Sequence, residues 1–413
     1  MKLFSQYKGL RKEIYILFYG RVVTSMGALV WPLMTLILSN KMGMSATEIA
    51  NLMLIMGLVQ LPCTLVGGKL ADRFNKKWVI VICDLITVAC YMICGFIPLS
   101  GLTIALFYIA GIFASFEHPS YDALVADLTS SDEREKAYSL NYLGMNLGLV
   151  LSPTIGGFLF ANYLHLAFII NSIATFTSTA LIFAFIKDVK KVETREASKN
   201  IYEKENAGSV LSVLFSKKTI LLYTCLLGLT GLVYSQFNFL IPLNMEAAFG
   251  ERGATIFGML TSVNAITVII GTPILTNVMA KVKDVHKLVI GISLEVLGLA
   301  MYIFIQDMLW LSFVSMVIFT LGEISNAIGA SPYITRRIPA SHRGRISALG
   351  VVFAALFQSV AQKGIAYLVD TQTLSFVWIV ITVIGGISIA GMYVVSLMDR
   401  KEYKLLYEEC SGM

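Results

Sequence analysis

Apolar stretches of membrane-spanning length recur along the whole chain, and short polar segments separate them. A helix needs about 20 apolar residues to cross the hydrocarbon core of a bilayer. Twelve stretches meet this requirement, at residues 14–38, 47–67, 78–98, 102–125, 138–161, 165–186, 220–243, 255–280, 288–305, 309–332, 346–369 and 374–397. Because backbone polar groups in lipid must be satisfied internally, we predict an all-α integral membrane protein with 12 transmembrane helices.

One long polar segment, residues 187–218, divides these helices six and six. We therefore predict four parts: an N-terminal six-helix bundle (1–186), a cytoplasmic central loop (187–218), a C-terminal six-helix bundle (219–398) and a cytoplasmic tail (399–413). The two bundles are expected to be pseudo-symmetric, because the second and third helices of each half are joined by a lysine-containing loop. Val210–Phe215 in the central loop has the pattern of a short amphipathic surface helix.

The positive charges lie almost entirely on one side of the predicted membrane. If the N-terminus is cytoplasmic, the cytoplasmic segments hold 28 of the 32 Lys and Arg residues, and the outer loops hold only Lys41 and Arg252. Cytoplasmic loops carry such an excess of Lys and Arg. Both termini are therefore predicted to be cytoplasmic in a multi-pass protein of the cell membrane. The first apolar stretch is too long for a signal-peptide core, so we expect no cleavable signal peptide.

Composition excludes several other classes of protein. Of the 413 residues 56% are hydrophobic and 14% are charged, whereas about 25% are charged in soluble proteins. The net charge of +6 therefore belongs to membrane-flanking loops and does not indicate a nucleic-acid partner. The six cysteines and four histidines show no metal-binding spacing. No nucleophile–base spacing indicates an enzyme, and we expect no cofactor.

The segment Gly67–Lys77, with the sequence GGKLADRFNKK, is a charged turn between two apolar stretches. Its glycines are expected to let two helices approach closely. Asp72 is expected to lie at a helix N-terminus or to pair with an arginine, and Asn75 to tolerate a left-handed backbone. The spacing resembles the loop between helices 2 and 3 of the major facilitator superfamily, whose two six-helix halves flank a substrate cavity. The resemblance implies a conformational gate formed by Gly68, Asp72, Arg73 and Lys77, with Asp127 and Arg134 as its brace.

The fifth apolar stretch repeats small residues at every fourth position. These are Gly144, Gly148, Ser152 and Gly156, and Pro153 is predicted to kink the helix. Such a stripe builds a smooth face for close helix packing. Together with Gly157, the run resembles the helix 5 signature of antiporters in the same superfamily, with Ser152 in place of a glycine. This resemblance favours export over uptake. Ordinary helix packing is the alternative explanation of the stripe, and the two are compatible because the superfamily uses this helix at the interface between its halves.

Ionisable residues within a bilayer are expensive and usually functional. Glu323 lies midway along the tenth stretch, where burial favours the protonated carboxyl. Glu117 and Asp122 in the fourth stretch are candidates for a proton relay or for substrate binding. Arg21 either lines a cavity or extends to the cytoplasmic face.

Three other intramembrane residues are weaker candidates. Asp84 and Glu295 occupy similar places in the two halves. We expect both near the cytoplasmic ends of their helices, paired with loop cations. Lys363 is a further possible cavity cation.

Three segments carry a closer resemblance: SLNYLGMNLG, SQFNFLIPLNM and FTLGEISNAIGASP. They are similar to helices 5, 7 and 10 of the 12-helix drug/proton antiporter branch, the LmrP-type multidrug/proton antiporters. The resemblance implies that Glu323 handles protons and cationic substrates. The branch's carboxylates on helices 5 and 7 fall at Asn141 and Asn238, which cannot titrate. Protons therefore move through Glu323 with Glu117 or Asp122, or the coupling is weaker.

The resemblance implies a secondary active transporter that exports amphipathic drugs or lipophilic small molecules in exchange for protons by alternating access. Its expected partners are a small-molecule substrate, protons and membrane lipids, and we expect a monomer. Two alternatives stay open. One is a transporter of a specific polar solute such as a sugar, peptide or lipid headgroup, and the other is a membrane sensor that does not transport.

Overall fold

Every regular element of the computed structural model is helical within the residues that the structure describes, which are 9–129, 131–186, 217–305, 308–337 and 343–408. Among these residues, the side chains of Asp72 and Arg134 and a few others within helices lie outside the description. The predicted central loop with Val210–Phe215 also lies outside the described residues, except for its last two residues, 217 and 218. The all-α prediction is confirmed.

Twelve long helical segments follow one another, and we number them α1–α12. The first six are α1 (Lys12–Gly27), α2 (Ala46–Arg73), α3 (Lys76–Phe96), α4 (Gly101–Asp127), α5 (Ser131–Leu149 and Ser152–Phe160) and α6 (Leu164–Phe185). The second six are α7 (Lys218–Ser235 and Leu240–Phe249), α8 (Gly253–Val278), α9 (Asp284–Ala300), α10 (Leu309–Thr335), α11 (Arg343–Thr371) and α12 (Leu374–Glu402). The short helices Tyr302–Ile305 and Leu405–Glu408 follow α9 and α12.

Eleven stretches of the described chain are long and apolar enough to cross a membrane. One of them, Lys218–Val278, has 61 residues and contains both α7 and α8. At about 1.5 Å per residue this stretch extends about 92 Å, whereas the hydrocarbon core is about 30 Å thick. The stretch is therefore long enough for two crossings, which agrees with the 12 predicted helices.

Three of the predicted helices are interrupted. α1 ends at Gly27, and a 3₁₀ turn with Pro32 and a π turn, Ile37–Lys41, carry the chain onwards. α5 breaks just before Pro153, and α7 breaks before Pro242. The proline ring clashes with the preceding turn and removes a hydrogen-bond donor, so each break lies next to a proline. The predicted continuous spans 14–38, 138–161 and 220–243 are corrected accordingly.

The contacts of the chain divide it into two compact units. The first, called unit 1, comprises the described residues up to 186 together with 238–269, and the second, unit 2, comprises 217–237 and the residues from 270 onwards. The second part of α7 and the first half of α8 thus pack with the N-terminal helices. The predicted division at the central loop stays a prediction.

The small residues of α5 bring its backbone close to that of α1 in unit 1. A Cβ atom added at Gly148 would lie 2.6 Å from the Met26 nitrogen. One added at Gly156 would lie 2.7 Å from the Leu29 carbonyl oxygen. Ser152 donates a hydrogen bond of 3.0 Å to the carbonyl of Ala28, which has lost its helical partner at the end of α1. The stripe is therefore a helix-packing surface, and its part in antiport stays a prediction.

Gly157 faces α8 instead of α1. An added Cβ atom would lie 2.7 Å from the Ala254 oxygen and 2.8 Å from the Thr255 Cα. Next to this contact, the Thr255 hydroxyl donates to the Gly157 carbonyl at 3.1 Å. The hydroxyls of Thr154 and Ser262 are 2.7 Å apart. The contact is therefore formed by two backbones that have no room for a side chain between them.

We expect the substitution Gly157→Leu to separate α5 from the first half of α8, because backbone atoms cannot move aside as a flexible side chain does. The measurement is disulfide formation in the double variant Thr154→Cys/Ser262→Cys, whose side chains lie within bonding reach. The yield is expected to be high with Gly157 present and to fall sharply in Gly157→Leu. Gly386→Leu is the matched control, since an added Cβ atom at Gly386 has no neighbour within 4 Å. An unchanged yield in Gly157→Leu would contradict the packing argument.

Candidate functional site

Unit 1 brings Arg21, Glu117 and Asp84 together from α1, α4 and α3. The guanidinium of Arg21 lies over the Tyr121 ring, 4.3 Å from its centre. Asp84 accepts a hydrogen bond of 2.7 Å from the Thr179 hydroxyl on α6. The charges of Arg21, Asp84 and Glu117 interact, and all three side chains are half-buried. If both carboxyls are ionised the group has a net charge of −1, so one proton or one monovalent cation neutralises it.

This arrangement changes two of the sequence-based interpretations. Arg21 packs on the Tyr121 ring of α4, and its charge interacts with those of two carboxyl groups on α3 and α4, which favours the interior position over the alternative of extension along α1. Asp84 is held by Thr179 and interacts with Arg21 rather than with a loop cation. A single sequence does not show this pairing, because α1, α3, α4 and α6 meet only in the fold.

Asp122 lies on a more exposed part of α4 than Glu117 does. Its carboxylate is 3.4 Å from the His118 ring nitrogen Nδ1, one helical turn earlier, and both side chains are about half exposed or more. The charge of Asp122 also interacts with that of Glu117. The structure therefore places the two predicted relay residues in one electrostatic group.

The two asparagines at the expected carboxylate positions both belong to unit 1. Asn141 on α5 is buried, and its side-chain oxygen has no hydrogen-bond partner among the described residues. Asn238 is exposed, and its backbone carbonyl accepts a hydrogen bond of 2.8 Å from Thr35. Neither side chain titrates, so the carboxyl groups are the proton-binding candidates in the membrane-spanning part.

In unit 2, Glu323 is a half-buried carboxylate beside aromatic rings. The Tyr234 hydroxyl of α7 donates a hydrogen bond of 3.0 Å to its oxygen Oε1. The Tyr234 ring stacks on Phe319, with ring centres 5.7 Å apart, and Phe237 stacks on Phe319 at the same distance. The surroundings combine an apolar surface with one ionisable group, a combination that suits an amphipathic ligand.

Glu295 on α9 is the site residue whose surroundings differ most from the prediction. Its side chain is buried, at 3% exposure, and accepts a hydrogen bond of 2.8 Å from the amide of Asn326 on α10. The expected loop cation is replaced by this neutral donor. The sequence carries a signal that could have indicated the contact, because Gly291 precedes Glu295 and Gly322 precedes Asn326 by one helical turn each.

The segment Gly67–Lys77 agrees with its prediction only in part. α2 continues to Arg73, so Asp72 lies in the last turn of a helix rather than at an N-terminus, and its side chain lies outside the description. Gly67 packs against the Phe116 backbone of α4, but Gly68 faces open space. Asn75 has φ of −65° and caps α3 by accepting a hydrogen bond from the Lys77 nitrogen, so it is not left-handed.

Asp127 forms an ion pair with the segment Gly67–Lys77, while its role as a brace stays a prediction. Lys76 lies 2.7 Å from the Asp127 carboxylate and thus joins the start of α3 to the end of α4. Lys77 lies over the Phe183 ring, 5.2 Å from its centre. Arg73 is exposed. The Arg134 side chain lies outside the described residues, so its predicted part in the brace stays a prediction.

A buried ion pair at the end of unit 2 was not predicted. Arg337 and Asp399 form two hydrogen bonds of 2.5 and 2.7 Å, and their side chains are 3% and 0% exposed. Burial alone lowers the pKa of Arg337, but the hydrogen bonds and the charge of Asp399 raise it above its ordinary value. The hydroxyl of Tyr407 donates to Asp399 at 2.5 Å. Lys217 donates to the Arg337 carbonyl.

A family model and two curated relatives show what this chain is similar to. The model of the Major Facilitator Superfamily matches residues 17–362. The chain is 22% identical over 391 residues to a Na(+), Li(+), K(+)/H(+) antiporter of Planococcus maritimus, covering 89% of this chain and 90% of the relative. It is 26% identical over 241 residues to Multidrug resistance protein 1 of Bacillus subtilis, covering 56% and 58%.

The fold is similar to that of solved transporters. A crystal structure of a POT family transporter in complex with 5-aminolevulinic acid superposes with a TM-score of 0.78 at 14% identity, over 95% of this chain and 97% of the other. At this identity the likeness concerns the fold alone. The family model, in contrast, matches by sequence and covers most of the chain. The chain therefore belongs to the Major Facilitator Superfamily, and it is a multi-pass membrane transporter of that family.

Proposed function

We propose that this transporter exports amphipathic or lipophilic small molecules from the cell in exchange for protons, by alternating access. The observation that carries the proposal is the half-buried carboxylate of Glu323, which is held by Tyr234 next to the stacked rings of Phe319 and Phe237. An apolar surface with one ionisable group binds either a proton or the positive end of an amphipathic ligand. Exchange follows because the two compete for one carboxylate.

The energetics of the bilayer favour such an exchange. An ionised carboxylate in the membrane-spanning part is costly, so it tends to be neutralised by a proton or a cation before its helix moves. The group Arg21, Asp84 and Glu117 in unit 1 offers a second place for one positive charge. The similarity to an antiporter and to a multidrug resistance protein supports exchange and export of small molecules.

We assign conformational gating to the segment Gly67–Lys77 and its brace. The ion pair of Lys76 and Asp127 joins α3 to α4 at the end of unit 1. Gly67 fixes α2 against α4. In this proposal the segment moves with α2–α4 as one body, and Asp72 stabilises one of the two access states.

A second candidate function is the exchange of a monovalent metal cation for protons. It is favoured by the net charge of −1 at Arg21, Asp84 and Glu117, and by the antiporter of Planococcus maritimus, to which 89% of this chain aligns. Among the described residues, no three His, Cys, Asp or Glu side chains form a metal-binding group. A monovalent cation would therefore be bound by one or two carboxylates with hydroxyl and carbonyl oxygens.

The two functions are separated by transport in proteoliposomes under an imposed pH gradient. A lipophilic cationic dye, a neutral lipophilic dye, and Na⁺, Li⁺ and K⁺ are offered to the purified protein. Drug export predicts gradient-driven movement of the dyes without movement of the metal ions. Movement of the metal ions alone would assign the second function. Movement of neither would contradict both and would leave the two alternatives, transport of a specific polar solute or a membrane sensor that does not transport.

A further inference from the structure

Helices α9 and α10 make a close contact where two glycines meet two polar side chains. A Cβ atom added at Gly322 would lie 2.6 Å from the Glu295 nitrogen and 3.0 Å from its Cγ. One added at Gly291 would lie 2.9 Å from the Asn326 nitrogen. Each polar residue lies one turn after the glycine of its own helix, and therefore on the same face. Glu295 and Asn326 each pack over the glycine of the opposite helix.

This contact fixes the carboxyl group of Glu295. The Asn326 amide donates a hydrogen bond of 2.8 Å to Oε1, and the Glu295 side chain is 3% exposed. Leucine or alanine in place of either glycine would force the helices apart. The close approach therefore gives Glu295 one fixed neutral donor and very little access to water.

The charged groups around Glu295 do not stabilise an ionised carboxylate. From α10 the facing charged group is Glu323, which is of the same sign. α12 carries no ionisable Asp, Glu, Lys, Arg or His between 374 and 398, and α7 carries none between 219 and 235. Among α7, α11 and α12, a cation away from a helix end occurs only at Lys363 of α11. Lys363 forms no ion pair with the described residues. An ionised Glu295 would be buried with one neutral donor and a like charge, which is costly.

We propose that Glu295 is a second proton-carrying carboxyl group of unit 2, which holds a proton in this conformation and passes it to Glu323. The step breaks the O–H bond at Glu295 and forms one at the Glu323 carboxylate, so charge balances without a co-reactant. It leaves an ionised Glu295 and is therefore assigned to the other access state, in which the contact of α9 and α10 no longer buries this carboxylate. Asn326 lies three residues after Glu323 on the same face of α10 and holds the Glu295 carboxyl against that helix, and the charges of Glu295 and Glu323 interact. The role in transport rests on the proposed proton-coupled function, but the protonation of Glu295 does not.

Infrared difference spectroscopy of the full-length purified protein tests the protonation directly. A protonated carboxylic acid has a carbonyl stretching band, and this band shifts when the exchangeable hydrogen is replaced by deuterium. A carboxylate has no such band. At neutral pH we expect one such band to disappear in Glu295→Gln, which keeps the size of the side chain and a hydrogen-bonding oxygen. In Asn326→Ala we expect the band to remain but to shift, because its donor is lost. If Glu295→Gln leaves all of these deuterium-sensitive carbonyl bands unchanged, the proposal is overturned.

The transfer to Glu323 is tested by the number of protons exchanged per substrate molecule in proteoliposomes. Because one proton passes through both carboxyls in series, Glu295→Gln is expected to lower this ratio toward zero, as is expected of Glu323→Gln. Thr320→Val is a matched control: Thr320 is a buried, uncharged polar residue of α10 whose hydroxyl donates a hydrogen bond of 2.7 Å to the Met316 carbonyl of its own helix. An unchanged ratio in Glu295→Gln together with the lost infrared band would overturn the transfer. If wild type exchanges no protons, the proposed function fails, and the infrared result still decides the protonation.

Discussion

Replacing Glu323 by glutamine is expected to abolish substrate movement driven by a pH gradient and to leave substrate-for-substrate exchange intact. Glutamine has nearly the same shape and can still accept the hydrogen bond that Tyr234 donates at 3.0 Å. It cannot bind or release a proton, so the link between the two gradients is removed while the binding surface stays. The measurement is efflux from proteoliposomes under an imposed pH gradient, with counterflow measured on the same vesicles.

Tyr234→Phe is the matched variant for this prediction. It removes the hydroxyl donor but keeps the ring that stacks on Phe319, and it leaves the carboxylate of Glu323 in place. We expect gradient-driven efflux to weaken but to persist, because the titrating group is still present. If Glu323→Gln remains fully coupled, the proton path lies elsewhere, and Glu117, Asp84 and Asp122 become the residues to test.

The second large effect concerns stability. Replacing Arg337 by alanine is expected to destabilise unit 2 by about 3–5 kcal/mol, which is the usual cost of removing one partner of a buried ion pair. The Asp399 side chain is 0% exposed. Of the side-chain donors that hold it among the described residues, only the Tyr407 hydroxyl would remain. The measurement is the apparent midpoint of thermal unfolding of the detergent-purified protein, at one heating rate because such unfolding is often irreversible.

The neighbouring arginine supplies the control. Arg336 pairs with Asp284 at 3.0 Å, but its side chain is 57% exposed. Exposed ion pairs contribute about 0–1 kcal/mol, and Asp284 retains Lys287 at 3.7 Å and Arg337 at 3.9 Å. Arg336→Ala is therefore expected to lower the midpoint much less than Arg337→Ala. Equal shifts in the two variants would show that burial of the Arg337–Asp399 pair does not determine its effect.

The fold was largely predictable because the bilayer restricts what a sequence can do. Stretches of about 20 apolar residues must be helices, so the helix count and class follow from hydropathy. The helix breaks were less predictable. Pro153 signals the break in α5, but the π turn at Ile37–Lys41 contains no proline or glycine and has no comparable local signal. The charged turn before α3 was placed correctly, but the role of Asn75 as the cap of α3 was not foreseen.

The candidate site was predictable only in its residue types. The cost of a charge in the membrane identifies Glu323, Glu117 and Arg21 from sequence alone. Their partners depend on which helices meet, so Thr179 beside Asp84 and Asn326 beside Glu295 became visible only in the fold. The pair of Arg337 and Asp399 was missed for the same reason, since 62 residues separate them.

The central claim is that substrate movement is tied to proton movement, and the direction of net flux tests it most directly. Proteoliposomes with wild-type protein are given a fixed pH gradient and a series of opposing gradients of the lipophilic cationic dye, with the membrane potential clamped to zero by K⁺ and valinomycin. The account predicts that net flux vanishes at a dye gradient that increases with the pH gradient, and that it reverses beyond this point. A flux that vanishes only when the dye concentrations are equal on both sides, whatever the pH gradient, would contradict proton coupling.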